Sequence, residues 1–173
     1  MLFSALILAI AGTVSAILEQ PTAEEICKDP NKCLKIGTFY IIEPTKPKKG
    51  EDNISLDFSI YDPNPDVQFQ GADQCDVDWK YGTDTFPKSL TACNRAEFSY
   101  YIDGFVAIDK TFYIEATHTV AVGANVVTVY ARGKVSLDYI ECFVSMSSFK
   151  SCQMKDKTEI LLVKYTPPAK PAI

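Results

Sequence analysis

His118 is the only histidine in the chain, so a Ser-His-Asp or Cys-His mechanism would have to run through it. Imidazole is the side chain that takes up and returns a proton near neutral pH. No G-x-S-x-G elbow offers it a serine. The cysteines are expected to be oxidised and so unable to act as thiolates. Its place late in a strand-like stretch, near a turn, reads as that of a half-exposed strand histidine able to tune a pH-dependent contact. A second group, Asp73, Asp76 and Asp78, precedes Trp79. Paired carboxylates carry out glycoside hydrolysis, and Asp76 and Asp78 share one face if the stretch is extended. The same acids are similar to a loop calcium site but lack the D-x-[DN]-x-[DN]-G spacing. Solvated loop acids are the plainer reading. No glycine-rich phosphate loop is present, so no catalytic residue, cofactor or metal ligand is assigned.

The six cysteines, Cys27, Cys33, Cys75, Cys93, Cys142 and Cys152, point to disulfide chemistry. An even number in an exported chain predicts three bridges. Many connectivities are open; pairing neighbours, Cys27 with Cys33, Cys75 with Cys93 and Cys142 with Cys152, is the simplest. A zinc site fails on spacing, because no C-x2-C pair exists and there is one histidine. Asn53-Ile54-Ser55 is an N-glycosylation triplet at the end of a polar loop, where a glycan is tolerated.

These residues must be positioned by a chain of 173 residues with formal net charge −5, 47% hydrophobic and 23% charged. That is a globular composition, long enough for a buried core. The acidic balance argues against nucleic-acid binding, which needs clustered basic charge. Leu2 to Ile10 is an apolar run, and Val14-Ser15-Ala16 fits the small-x-small cleavage rule, so residues 1–16 read as a secretory signal peptide. The run is short for a membrane span and no later one is long enough. The remaining chain is therefore expected to be extracellular and off the membrane, as one domain over 17–165 with a flexible Pro-rich tail over 166–173.

Within that domain the apolar period is two. Thr22 to Glu25 reads as a helix start with a capping box. Ile54, Leu56, Phe58 and Ile60 alternate with Ser55, Asp57 and Ser59, and Phe98, Tyr100 and Ile102 with Ser99 and Tyr101. Phe112, Ile114 and Ala116 alternate with Tyr113, Glu115 and Thr117 in the same way. Strands are also expected over 34–42, 67–70, 126–131, 135–144 and 158–165, with Arg132-Gly133-Lys134 as a turn. About eight or more short strands with turn signals every ~8–12 residues predict an all-β, antiparallel barrel or sandwich stabilised by disulfides. Outward aromatics such as Tyr101 and Tyr113 could form a binding face. Trp79, four residues after Cys75, is expected to pack over a disulfide.

Several of these features together resemble a known family. A signal segment precedes an alternating strand with Leu56-Asp57-Phe58, and Cys75, Trp79 and Cys93 follow in that order. A strand with Phe98-Ser99-Tyr100 comes next, then the close pair Cys142 and Cys152, and a final strand Thr158-Glu159-Ile160-Leu161-Leu162-Val163. This order is similar to that of the Alternaria major-allergen family of small fungal secreted β-barrel proteins, over roughly residues 34–165. The resemblance implies bridges Cys75–Cys93 and Cys142–Cys152, an effector-like or allergen-like role outside the cell, and a partner that is a host extracellular protein or a small apolar or phenolic ligand. It implies no catalytic residues. It also implies a homodimer linked through an N-terminal cysteine; a local Cys27–Cys33 loop would remove that link. The expectation is a secreted, non-enzymatic binding protein. The alternatives are a secreted hydrolase using His118 or the Asp73/Asp76/Asp78 cluster, and a small-molecule carrier.

Overall fold

The computed structural model describes residues 33–64, 71–83, 85–122, 125–146 and 148–164. The signal segment, the capping box at Thr22, Cys27, the strand expected at 67–70 and the Pro-rich tail lie outside the described residues. The alternating stretches and the strand expected at 34–42 all form strands: β1 (Leu34–Pro44), β2 (Asn53–Tyr61), β5 (Phe98–Asp103) and β6 (Phe112–Val122). To these are added β3 (Asp73–Lys80), β4 (Thr91–Ala92), β7 (Asn125–Val135), β8 (Ile140–Val144), β9 (Phe149–Met154) and β10 (Ile160–Lys164). The fold is all-β and antiparallel, as the period-two pattern predicts.

The strands follow the order β3-β2-β1-β10-β7-β6-β5-β4, and β9 branches from β1 to pair with β8. This sheet curls until its ends nearly meet. Where β3 and β4 face each other, Cys75 is bonded to Cys93. The backbone N–H of Asn94 donates to the Gln74 carbonyl at 2.9 Å, and that of Arg95 to Asp73 Oδ2 at 2.9 Å. A second bridge, Cys142–Cys152, joins directly opposed residues of β8 and β9. The core fills the barrel with the inward residues of each strand. Phe58 of β2 meets Tyr100 of β5 edge-on at 4.9 Å, tying opposite walls together. The Tyr100 hydroxyl donates to the Asp76 carbonyl at 3.2 Å. Burial, reinforced by the charge of Asp76, pushes this phenol up to about 12.

Two strand expectations need correcting. Arg132-Gly133-Lys134 is not a turn: β7 runs through it to Val135. Gly133 is there because β10 presses on it; a Cβ would lie 3.1 Å from Ile160 Cγ2 and 3.2 Å from Leu162 Cγ. The break falls later, at 136–139, where backbone N–H groups of Tyr139 and Ile140 return to the Ser136 carbonyl. The acids before Trp79 are not in a loop either. They lie on β3, which pairs with β2 along its whole length, Asn53 opposite Lys80 through Ile60 opposite Asp73.

Candidate functional site

Trp79 ends the inward row of β3, which includes Asp73, Cys75 and Val77, and its residue is 4% exposed. Two loops bring rings to it. Phe105 follows β5 and meets the indole edge-on at 5.0 Å. Phe86 follows β3 and meets it at 6.4 Å. Phe86 and Phe105 are 5.8 Å apart. Phe105 continues inward to Phe112 at 5.3 Å, and Phe112 to Phe39 at 6.2 Å. A chain of rings thus runs from the barrel rim into the core. The contacts that Trp79 makes here are with these rings.

Beside these rings opens a pocket of about 250 Å³, completed by Ile54 of β2, Tyr81 and Val106. Gly82 and Thr83 form part of its wall. The turn at 81–83 is held by the loop before β2: Tyr81 N–H donates to the Asp52 carbonyl and Gly50 N–H to the Tyr81 carbonyl, both at 2.9 Å. Gly82 takes a positive φ of 66°, and a Cβ there would lie 3.0 Å from Lys49 Cγ, so the close approach needs glycine. At the rim, Lys88 Nζ sits 5.0 Å from the Phe86 ring centre. None of the described lining residues carries a carboxylate, an amine or an imidazole. The site offers aromatic edges and faces to a ligand, with no group to move a proton at neutral pH. An apolar cavity of about 150 Å³ accepts benzene, whereas drug-sized ligands take roughly 300–1,000 Å³.

His118 is not half-exposed. It belongs to the inward row of Phe112, Ile114 and Ala116 and is 0% exposed. Its ring stacks on Phe98, 4.1 Å between centres and 6° between planes. Nδ1 lies 3.0 Å from Asp62 Oδ2; Nε2 has no hydrogen-bond partner among the described residues. Burial pushes the Asp62 carboxyl up, but the hydrogen bond from His118, the backbone N–H of Asn64 and the charges of His118 and Lys164 outweigh it. The carboxyl is held below the usual range. This pair has a general base's components, yet it is sealed inside the barrel wall, so a structural role fits it better.

The three acids do not converge. Asp73 points inward, 3% exposed, and accepts backbone N–H groups from Gln74 and Arg95, each at 2.9 Å. Asp76 and Asp78 point outward, as an extended strand requires. Asp78 accepts the Ser55 hydroxyl, and Asp57 stands opposite Asp76. Among the described residues no three metal-ligating side chains come together.

The outward tyrosines are partly taken up. Tyr113 lies 4.2 Å below the Arg132 guanidinium, which forks to Asp103 at 2.6 Å and Glu115 at 3.2 Å. Sequence pattern hides this group, since Arg132 reads as a turn residue. A second hidden cluster sits inside one barrel end. Lys150 Nζ of β9 binds Asp109 Oδ2 at 2.8 Å and approaches Glu43 Oε1 of β1 at 3.9 Å. Glu43 is 8% exposed, and its Oε2 has no partner among the described residues. Burial raises its carboxyl above the ordinary range; Lys150 lowers it and Asp109 raises it further. Cys33 is disulfide-bonded. Asn53 is exposed at the start of β2.

No protein-family model and no curated protein matches the chain. Among solved structures it bears a distant likeness to the crystal structure of Alternaria alternata major allergen Alt a 1. The two are 17% identical with a TM-score of 0.41, over 78% of this chain and 95% of that one.

Proposed function

We propose that this protein is a secreted, non-enzymatic, allergen-like binding protein that works outside the cell by holding a small phenolic or other single-ring ligand. The observation that carries the reading is the pocket walled by Trp79, Tyr81, Phe86 and Phe105. Rings held edge-on by one another offer a rigid surface for another ring, and such aromatic pairs are worth about 0.5–1.5 kcal/mol each beyond area burial. The disulfides Cys75–Cys93 and Cys142–Cys152 support an oxidising compartment. Against a hydrolase stand the sealed position of His118 and the divergence of Asp73 from Asp76 and Asp78.

Trp79 is the sole tryptophan, so its emission reports on the pocket directly. Titration with p-coumaric acid is expected to change that emission saturably at one site per chain. Cyclohexanepropionic acid, which has a similar charge and no aromatic ring, is expected to bind more weakly. No saturable change with p-coumaric acid overturns the pocket reading. Turnover of a glycan or ester substrate that His118→Ala or Asp76→Asn abolishes would replace it with the hydrolase.

A further inference from the structure

We propose that Asn53 carries an N-linked glycan whose first sugars lie over an apolar strip on the outer wall of the barrel. Asn53, Ser55 and Asp57 are the outward residues of β2, and the burial pattern of the strand sets them apart from Ile54, Leu56 and Phe58. The ladders carry this face across three more strands. Ser55 stands opposite Ile42, Ile42 opposite Ser151, and Ser151 opposite Phe143. One step nearer the hairpin end, Pro44 stands opposite Phe149. Tyr40, on the other side of Ile42, completes the strip. Tyr40, Phe143 and Phe149 are 42%, 51% and 43% exposed, so rings from three strands lie open to water on one face.

Asn53 stands at the border of this strip. Pro44 is on the neighbouring strand, and Phe149 is two strand spacings away, about 10 Å. Toward β3 the same wall is charged, with Lys80 opposite Asn53 and Asp57, Asp76 and Asp78 beyond it, and gains nothing from being covered. The C–H faces of a sugar covering the rings remove apolar area from water, while its hydroxyls keep the outside wet. The attachment is a group transfer. The Asn53 side-chain nitrogen attacks the anomeric carbon of a lipid-linked oligosaccharide diphosphate; a C–N bond forms, the C–O bond to the diphosphate breaks, and the amide loses one proton as the lipid diphosphate leaves. The inference rests on passage through the secretory lumen and is independent of the aromatic pocket.

The test is secretion of the full chain from a eukaryotic host, with peptide mass spectrometry at Asn53. Binding of the dye 1-anilinonaphthalene-8-sulfonate is then compared for the secreted protein, Asn53→Gln, and Asn53→Gln combined with Phe143→Ser and Phe149→Ser. The expected result is an occupied Asn53, a severalfold rise in dye emission for Asn53→Gln, and return of that emission to the starting level in the triple variant. A secreted protein with bare Asn53 overturns the modification. An occupied Asn53 whose removal leaves dye binding unchanged, or a rise that survives in the triple variant, overturns the covering of this strip.

Discussion

Cys75 and Cys93 are bonded across the gap between β3 and β4, the two ends of the main strand path. Around them the gap is held by single hydrogen bonds at Gln74, Asp73 and Asp76 in place of a continuous ladder. The bridge therefore acts as the closure of the barrel, and Trp79, four residues along β3, inherits its position from it.

Replacing this bridge with Cys75→Ala/Cys93→Ala is expected to lower stability by about 3 kcal/mol, the loop-entropy value for a loop of this size. The sequence separations are 18 for this bridge and 10 for Cys142–Cys152. The shorter loop is worth about 0.5 kcal/mol less on the same account. Denaturant midpoints of the two double variants check the ranking, and equal or reversed losses would show that closure of the gap is not what the first bridge contributes.

Phe105 touches Trp79, Phe86 and Phe112, so Phe105→Ala removes the centre of the ring cluster. Affinity for a single-ring ligand is expected to fall about tenfold, equivalent to about 1.4 kcal/mol, with a stability loss of about 3 kcal/mol, the low end for a phenylalanine that is only partly buried. Phe143→Ala, on the outer wall, is the control and leaves binding unchanged. Trp79 emission titrations on both variants measure the difference.

Asp62→Ala leaves the buried His118 Nδ1 unpaired and is expected to cost about 2 kcal/mol. The pair also makes a pH-dependent contribution. The folded Asp62 carboxyl is held below its unfolded value; its contribution is present above the ordinary carboxylate range and lost as pH falls through the lowered folded value. Wild type should therefore lose its advantage over Asp62→Ala on strong acidification. Unfolding curves at pH 7 and pH 3 test this, and an unchanged difference would remove Asp62 from the acid response.

Glu43 behaves in the opposite sense. Its folded carboxyl is raised, so the proton is bound more tightly in the fold. The stabilisation from that proton is complete below the unfolded value of 4.5 and is lost as pH rises through the folded one. Relative to Glu43→Gln, wild type should gain stability as the pH is lowered from 7 to the unfolded value of 4.5. Parallel unfolding curves at the two pH values decide it, and curves that shift together would show that the Glu43 carboxyl titrates alike in the folded and the unfolded chain.

The strand class and most of the wall are legible in the order of the residues alone. Side-chain alternation is set residue by residue, because neighbours on an extended chain point to opposite faces; β2, β5 and β6 were legible for that reason. So was the shared face of Asp76 and Asp78 once the stretch is extended; His118, read as half-exposed, is instead buried in the row of Phe112, Ile114 and Ala116. Local pattern misled where a distant element overrode it. Gly133 reads as a turn, but β10 packs on it and β7 continues; β3 looks like an acidic loop, but its outward acids cover a paired strand. Only the tertiary structure decided what meets what. His118 finds Asp62 across 56 positions, and Trp79 finds Phe86 and Phe105 in loops with no periodicity. Such contacts depend on strand register and on loop paths that bring separate segments to one end of the barrel, and neither is written in the spacing of the residues concerned.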